Sequence, residues 1–226
     1  MNNNRFRIYP SILTADLGKL DKQISTAEEY GVDGFHIDVM DGQFVPPITF
    51  GPIIISHIRK ITKLPIDIHM MVIDPDRYFD ELIDAGADSI TIHYESTPDF
   101  DNTINKLTSL NVESSVAINP NTSLTSVQNY LAEINQLLIM SVNPGYGGQK
   151  FIPSSINKIE SAKSLIDQLN LSTKIQVDGG INSNTISNVF TAGADIVVAG
   201  SAIYNEMNDI ETSIKTLKDS IILWIY

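Results

Sequence analysis

The stretch KIQVDGGINSNTISNVFTAGADIVVAGS, residues 174–201, holds one complete structural repeat and the opening of the next. Lys174–Val177 is a short apolar run closed by the turn residues Asp178, Gly179 and Gly180, which predicts a strand. Asn182–Ala192 has helical periodicity and stops at Gly193, a residue that readily takes the left-handed conformation ending a helix. Asp195–Ala199 is a second β-branched run, stopped by Gly200 and Ser201. A strand, a crossover helix and a strand in immediate succession form a unit whose two strands run parallel.

The same unit recurs toward the N-terminus. Strands are expected at Arg7–Leu13, Gly34–Val39, Pro65–Met70, Ser89–His93, Glu113–Ile118 and Gln136–Val142, each bounded by Gly, Pro, Asn or Asp. Helical patterns lie between them. Asp16–Tyr30 places Leu17, Leu20, Ile24 and Ala27 on one face, and Pro75–Ala85 opens after Asp74 as an expected N-cap and stops at Gly86. Ser154–Leu169 and Asp209–Leu223 repeat the pattern. Eight strands in 226 residues fit a closed (β/α)8 barrel, whose usual length is about 250 residues. An open dinucleotide-binding sheet would require G-x-G-x-x-G after the first strand, where this chain reads SILTADLGKL. No linker, low-complexity tract or compositional break interrupts the pattern. Residues 1–226 are therefore expected to form a single α/β domain, a (β/α)8 TIM barrel.

Composition narrows the chemistry. With no cysteine there is no disulfide framework, thiolate metal site or cysteine nucleophile, so a metal would need imidazole and carboxylate ligands. The 15 Lys+Arg against 27 Asp+Glu give a net charge of −12, which argues against nucleic acid as a partner. The opening MNNNRFRIYPSIL lacks the apolar core of a signal peptide, and no uninterrupted apolar run is long enough for a bilayer, so a cytoplasmic protein without membrane contact is expected. The apolar IILWIY at residues 221–226 reads as a last helical turn packing on the core or on a neighbouring subunit.

In such a barrel the chemistry gathers at the C-terminal ends of the strands. Ser11 ends strand 1, His36 and Asp38 sit on one side of strand 2, His69 lies on strand 3 and Asp178 ends strand 7. Each alone would pass for a core histidine or a strand-end cap. Four at matching depth make a plausible shell for Zn²⁺, Mn²⁺, Fe²⁺ or Co²⁺. His57, in a helical stretch, reads as surface or packing. His93 and Glu95, at the end of strand 4, either support the metal site from outside or serve packing. Glycine-rich turns follow strands 6, 7 and 8: NPGYGG at 143–148, DGG at 178–180 and AGS at 199–201. They bring backbone N–H groups to the sector where many barrels bind phosphate, so an acidic protein can still hold an anion.

These blocks resemble the ribulose-phosphate 3-epimerase family over nearly the whole chain. The resemblance is carried by PSIL at 10–13, HIDVMDGQFVP at 36–46, DIHMM at 67–71, MSVNPGYGGQKF at 140–151, VDGG at 177–180 and AGSAIY at 199–204. It implies His36, Asp38, His69 and Asp178 as ligands of one divalent metal, zinc foremost, with iron, manganese or cobalt as alternatives. It implies Asp38 and Asp178 as the acid/base pair, and Ser11 and His69 as substrate contacts. Gly145, Tyr146, Gly147, Gly148, Gly179, Gly180, Gly200 and Ser201 would hold the phosphate end, and Met40, Met71 and Met140 would line the site. The implied reaction interconverts D-ribulose 5-phosphate and D-xylulose 5-phosphate by two-base proton transfer at C3 through an enediolate. A homo-oligomer is also expected. Pro47 departs from the family, which usually has Asn after FVP, and it opens the alternative of another ketose phosphate such as allulose 6-phosphate. Two rivals remain, a sugar-phosphate-binding barrel without catalysis and a decarboxylase related to the orotidine enzyme. The second would need a lysine in strand 3, which reads DIHMM.

Overall fold

The computed structural model describes residues 6–222. The aromatic end of the IILWIY tail and the last residue of the helix expected through Leu223 lie outside the described residues. Eight parallel strands form one sheet: β1 (Arg7–Pro10), β2 (Phe35–Met40), β3 (Ile66–Met71), β4 (Ser89–His93), β5 (Glu113–Ile118), β6 (Gln136–Met140), β7 (Lys174–Asp178) and β8 (Ile196–Ala199). Their spatial order is β1-β8-β7-β6-β5-β4-β3-β2. The two ends of that order meet at one parallel bridge between Ser11 and His36, which nearly closes the ring into the expected (β/α)8 barrel. Below that bridge the Asp33 N–H donates to the Ile8 carbonyl at 3.1 Å.

Because successive strand residues point to opposite faces, each strand serves two environments. Phe35, Ile37 and Val39 of β2, Ile66, Ile68 and Met70 of β3 and Ile90 and Ile92 of β4 belong to one extensive core beneath the helices. The alternate residues face the barrel axis, and there the character changes. His36, Asp38, Asp67, His69, Thr91 and His93 are all buried. Farther round, Ala117, Leu138, Met140 and Val142 form a small apolar cluster of their own. The lumen is thus densely polar on the β2–β4 side, while on the β5–β7 side this apolar cluster sits beside the buried polar residues Ser115, Gln136 and Gln176.

Seven α-helices are present among the described residues: α1 (Leu20–Glu29), α2 (Pro52–Ile61), α3 (Phe79–Asp84), α4 (Phe100–Thr108), α5 (Ser155–Gln168), α6 (Ile186–Thr191) and α7 (Ile210–Ile222). Between β5 and β6 only two 3-10 turns occur, at Leu124–Ser126 and Gln128–Tyr130. The polar stretch Asn119–Ser123 precedes them, and its short side chains compete with helical hydrogen bonding.

Several boundaries differ from the sequence expectation. β1 ends at Pro10, and Ser11 instead caps a 3-10 turn by accepting from the Leu13 N–H. The helix expected from Asp16 starts as a 3-10 turn, with α1 proper beginning at Leu20. Asp74 makes no side-chain cap bond; it takes a left-handed conformation before a 3-10 turn at Pro75–Tyr78. The helix expected from Asn182 starts only at Ile186, because the Asn182 carbonyl and side chain are occupied in the preceding turn.

Candidate active site and metal centre

The ladder register assembles the site. In the β2–β3 pair, His36 lies beside Asp67, Asp38 beside His69 and Met40 beside Met71. In the β6–β7 pair, Met140 lies beside Asp178. The end of β2 is clamped from above: Thr49 returns to it, donating its Oγ1 to the Asp38 carbonyl at 2.5 Å and accepting from the Met40 N–H at 3.0 Å.

Four side chains predicted as ligands converge. His36, Asp38, His69 and Asp178 each present one donor atom, all within 4.8 Å of one another. His36 Nε2 lies 3.3 Å from His69 Nδ1 and 3.5 Å from Asp38 Oδ1. His69 Nδ1 lies 3.2 Å from Asp38 Oδ1 and 3.7 Å from Asp178 Oδ2, and His36 Nε2 lies 3.9 Å from that same Asp178 oxygen. Tetrahedral ligands about 2.1 Å from an ion sit about 3.4 Å apart, so this spacing suits a small divalent cation. The chemistry agrees: two imidazole nitrogens and two carboxylate oxygens form an acceptor-rich set that a cation would satisfy.

The two carboxylates are held differently. Burial works against the charged form of Asp38, but the His36 and His69 imidazoles outweigh it and keep Asp38 well below the usual carboxylate range. Asp38 Oδ2 also accepts from Ser11 Oγ at 2.6 Å. Burial, reinforced by the negative charges of Asp38 and Asp67 against the opposing pull of His36, pushes Asp178 up to about 7. Burial also works against a charged His36, yet Asp38 and then Asp67 hold it well above its ordinary value. His69 is lowered, mainly by burial.

Above the donor cluster opens a cleft of about 530 Å³. Ser11, Asp38, Asp178 and the methionines Met40, Met71 and Met140 line it, while His36 and His69 lie fully buried at its floor. Its rim carries Gly145, Tyr146, Gly147 and Gly148 from the turn after β6, Gly179 and Gly180 after β7, and Gly200 and Ser201 after β8. Among the described residues, the N–H groups of Gly148, Gly180 and Ser201 donate to no protein acceptor. Gly180 has φ +65°, and a Cβ there would come within 2.3 Å of the Phe151 backbone nitrogen. The rim therefore depends on bare backbone. Pro47 lies in the turn after β2, where its carbonyl accepts from the Gly42 N–H at 3.0 Å.

Other residues occupy places the sequence reading leaves open or passes over. His93 Nε2 lies 2.8 Å from His69 Nε2, and its Nδ1 lies 3.1 Å from Glu95 Oε2. Asp67 is not among the expected site residues, yet its carboxylate lies 2.7 Å from His36 Nδ1 and accepts from Gln176 Nε2 at 2.8 Å and from Ser89 Oγ. The signal is present in the sequence, since Asp67 stands two residues before His69 and so faces the same way. His57 is exposed on α2, its Nε2 2.7 Å from Asp21 of α1, away from the cleft.

The barrel alone is widespread. A 3-hexulose-6-phosphate synthase structure aligns with TM-score 0.69 and 22% identity over 96% of this chain and 99% of that one. Orotidine 5'-phosphate decarboxylase from Pyrococcus horikoshii OT3 aligns with TM-score 0.68 and 17% identity over 95% and 99% of the two chains. At these identities the likeness is one of fold. Sequence relatives are closer. Ribulose-phosphate 3-epimerase of Bacillus subtilis is 41% identical over 95% of this chain and 99% of its own. That of Aquifex aeolicus is 44% identical over 92% and 94%, and the chloroplastic Arabidopsis thaliana enzyme is 40% identical over 94% and 76%. The model of the ribulose-phosphate 3 epimerase family matches residues 7–204, a span that holds every residue of the cleft, and the chain belongs to that family.

Proposed function

We propose that this protein interconverts D-ribulose 5-phosphate and D-xylulose 5-phosphate by inverting C3, acting as a single (β/α)8 domain in a homo-oligomer. The observation that carries the reading is one cleft lined by two carboxylates from different strands, Asp38 held ionised and Asp178 shifted up to about 7, where both of its forms are populated at neutral pH. Inversion beside a ketone requires a base on one face of the reacting carbon and an acid on the other. Asp38 and Asp178 stand on β2 and β7, separated around the ring by β1 and β8.

In this mechanism Asp38 removes the C3 proton, leaving an enediolate, and Asp178 delivers its own proton to C3 from the opposite face. In the reverse direction the two exchange roles. His36, Asp38, His69 and Asp178 would hold a divalent ion, with zinc as the first candidate and iron, manganese or cobalt as alternatives. When bound, that ion supplies Lewis-acid stabilisation of the charge that develops on the substrate oxygens. Ser11 fixes the Asp38 carboxylate by hydrogen bonding, and His69 contributes to the floor on which the substrate rests. Met40, Met71 and Met140 cover the reacting carbons and exclude water. Free N–H groups of the rim from Gly145–Gly148, Gly179–Gly180 and Gly200–Ser201 receive the phosphate. Pro47 does not line the cleft, so its departure from the family gives no ground to leave the pentulose that VNPGYGGQ and VDGG suggest.

The test is solvent deuterium incorporation at C3 together with product formation, run in parallel on D-ribulose 5-phosphate and allulose 6-phosphate. Exchange and epimerisation of the pentulose are expected to dominate. Preference for the hexulose would move the substrate assignment, and binding of either sugar phosphate without exchange would replace the enzyme with a binding barrel.

A further inference from the structure

We propose that Glu95 and His93 are positioning residues that set the tautomer of His69 and so turn its Nδ1 lone pair into the metal site. The inference rests on the metal-dependent reading above and adds to it a line of hydrogen bonds running from the site to the loop after β5. For His69 to offer Nδ1 to a cation, its proton must sit on Nε2. That nitrogen lies 2.8 Å from His93 Nε2, so His93 must accept there and carry its own proton on Nδ1. His93 Nδ1 in turn lies 3.1 Å from Glu95 Oε2. A carboxylate can only accept, so once a cation takes the His69 Nδ1 lone pair, in place of the proton that Asp38 Oδ1 at 3.2 Å otherwise draws there, Glu95 fixes the direction of every bond in the line.

The far end is anchored. Glu95 Oε1 accepts from the Asn119 N–H at 2.9 Å and from Thr122 Oγ1. Lys158 of α5 donates to the carbonyls of Asn119, Pro120 and Thr122 at 3.0, 2.7 and 2.7 Å, which holds that loop in place. His93 is fully buried, stacked on His69 with ring centroids 5.0 Å apart and covered by Phe44 at 4.8 Å. Neither imidazole therefore has room to swing to another partner.

Glu95→Gln breaks the line in a defined way. The amide oxygen is drawn to the two donors at Asn119 and Thr122, which leaves the amide NH2 facing His93 Nδ1. His93 must then carry its proton on Nε2, opposite the His69 Nε2–H, and the conflict is relieved only by moving the His69 proton to Nδ1, inside the metal site. His93→Gln keeps the polarity, because its oxygen can accept from His69 while its NH2 donates to Glu95. His93→Leu keeps the packing and loses the polarity.

Two readouts test this besides turnover. Imidazole ¹⁵N shifts of the Zn²⁺-loaded wild type are expected to show Nε2–H on His69 and Nδ1–H on His93, because without the ion the Asp38 carboxylate 3.2 Å from His69 Nδ1 competes for the same proton. Competition with a chromogenic chelator for Zn²⁺ is expected to show affinity lowered about 10–100-fold in Glu95→Gln and His93→Leu, with His93→Gln recovering most of it. Wild-type affinity in Glu95→Gln, or Nδ1–H on His69 in the Zn²⁺-loaded wild type, would overturn the inference while leaving the epimerase reading intact. The wild-type shifts decide the matter even where a His93 variant fails to fold. A wild type that binds no divalent ion would overturn both.

Discussion

Asp38 and Asp178 border the same cleft, yet their surroundings are built from different materials. Asp38 belongs to a wall of side chains: Ser11 donates to it at 2.6 Å, His69 Nδ1 stands at 3.2 Å, and Thr49 clamps its carbonyl. Asp178 begins a rim of glycines, and the imidazole nitrogens of His69 and His36 are 3.7 and 3.9 Å from its carboxylate. No hydrogen bond reaches its carboxylate among the described residues. Charge follows construction. The wall stabilises an anion, whereas the rim leaves a carboxyl that burial and neighbouring negative charge keep protonated up to about pH 7. Two chemically identical side chains thus acquire different protonation preferences through what stands beside them, as the proposed base and acid require.

The largest expected effect removes either member. Asp38→Asn and Asp178→Asn should each lower kcat by about 10³–10⁴-fold or more in the epimerisation assay, with the circular dichroism of the barrel retained. Near-wild-type turnover in either variant would end the two-base assignment. Equal losses from unequal surroundings would show that the environments set protonation and the carboxylates carry the chemistry.

A second test reads the same contrast without substrate. In metal-free protein, Asp178 has a folded value of about 7 against an ordinary value of 3.8, so the folded state holds the extra proton between them. Its contribution to stability is complete below about pH 3.8 and is lost as pH rises through about 7, at up to about 1.4 kcal/mol per pH unit. Asp38 has the opposite sign: its folded value is depressed, so its contribution is present above 3.8 and lost as pH falls. Burial lowers His69, and His93 to about 4, and these groups oppose Asp178 over the same range, so the test is a difference: from pH 4 to 7 the stability of chelated wild type relative to Asp178→Asn, read from denaturant midpoints, should fall. An unchanged slope in the variant would mean that Asp178 is not the group taking up the proton.

The wall and the rim are not equally legible in the sequence. On the wall, period-2 spacing places His36 with Asp38, and parallel strands at matching depth bring in His69. The same rule reaches Asp67, but a buried carboxylate bound to a histidine leaves no motif beyond its spacing, and so it passes unnoticed. The rim is visible as glycine clusters, but its N–H groups carry no residue signature, so only the backbone path shows which ones are free. Element boundaries are the least legible part. At Ser11 and Asn182, local side-chain and backbone bonds end or delay the regular element that periodicity alone would extend.

Gly180→Ala probes the rim's reliance on bare backbone. Its φ of +65° and the 2.3 Å approach of a new Cβ to the Phe151 nitrogen should cost about 1–3 kcal/mol of stability. KM for the sugar phosphate should rise more than kcat falls, because the change displaces N–H groups proposed to face the phosphate and leaves Asp38 untouched. A variant with normal KM would remove Gly180 from the phosphate site.

Ser11→Ala makes the smallest change and brings the two sides closer in kind. It deletes the 2.6 Å hydrogen bond to Asp38 and leaves that carboxylate beside His36 and His69. A hydrogen bond to a charged group contributes about 1.5–3 kcal/mol, and water entering from the cleft would replace part of it, so kcat should fall about 10-fold. The pH profile gives the sign. Losing a donor to the ionised form raises the Asp38 value, so the acid limb of kcat/KM should move to higher pH while the limb set by Asp178 stays in place. Movement of both limbs together would show that the wall and the rim titrate as one unit; movement of the acid limb alone would show that Ser11 acts on Asp38 and stops there.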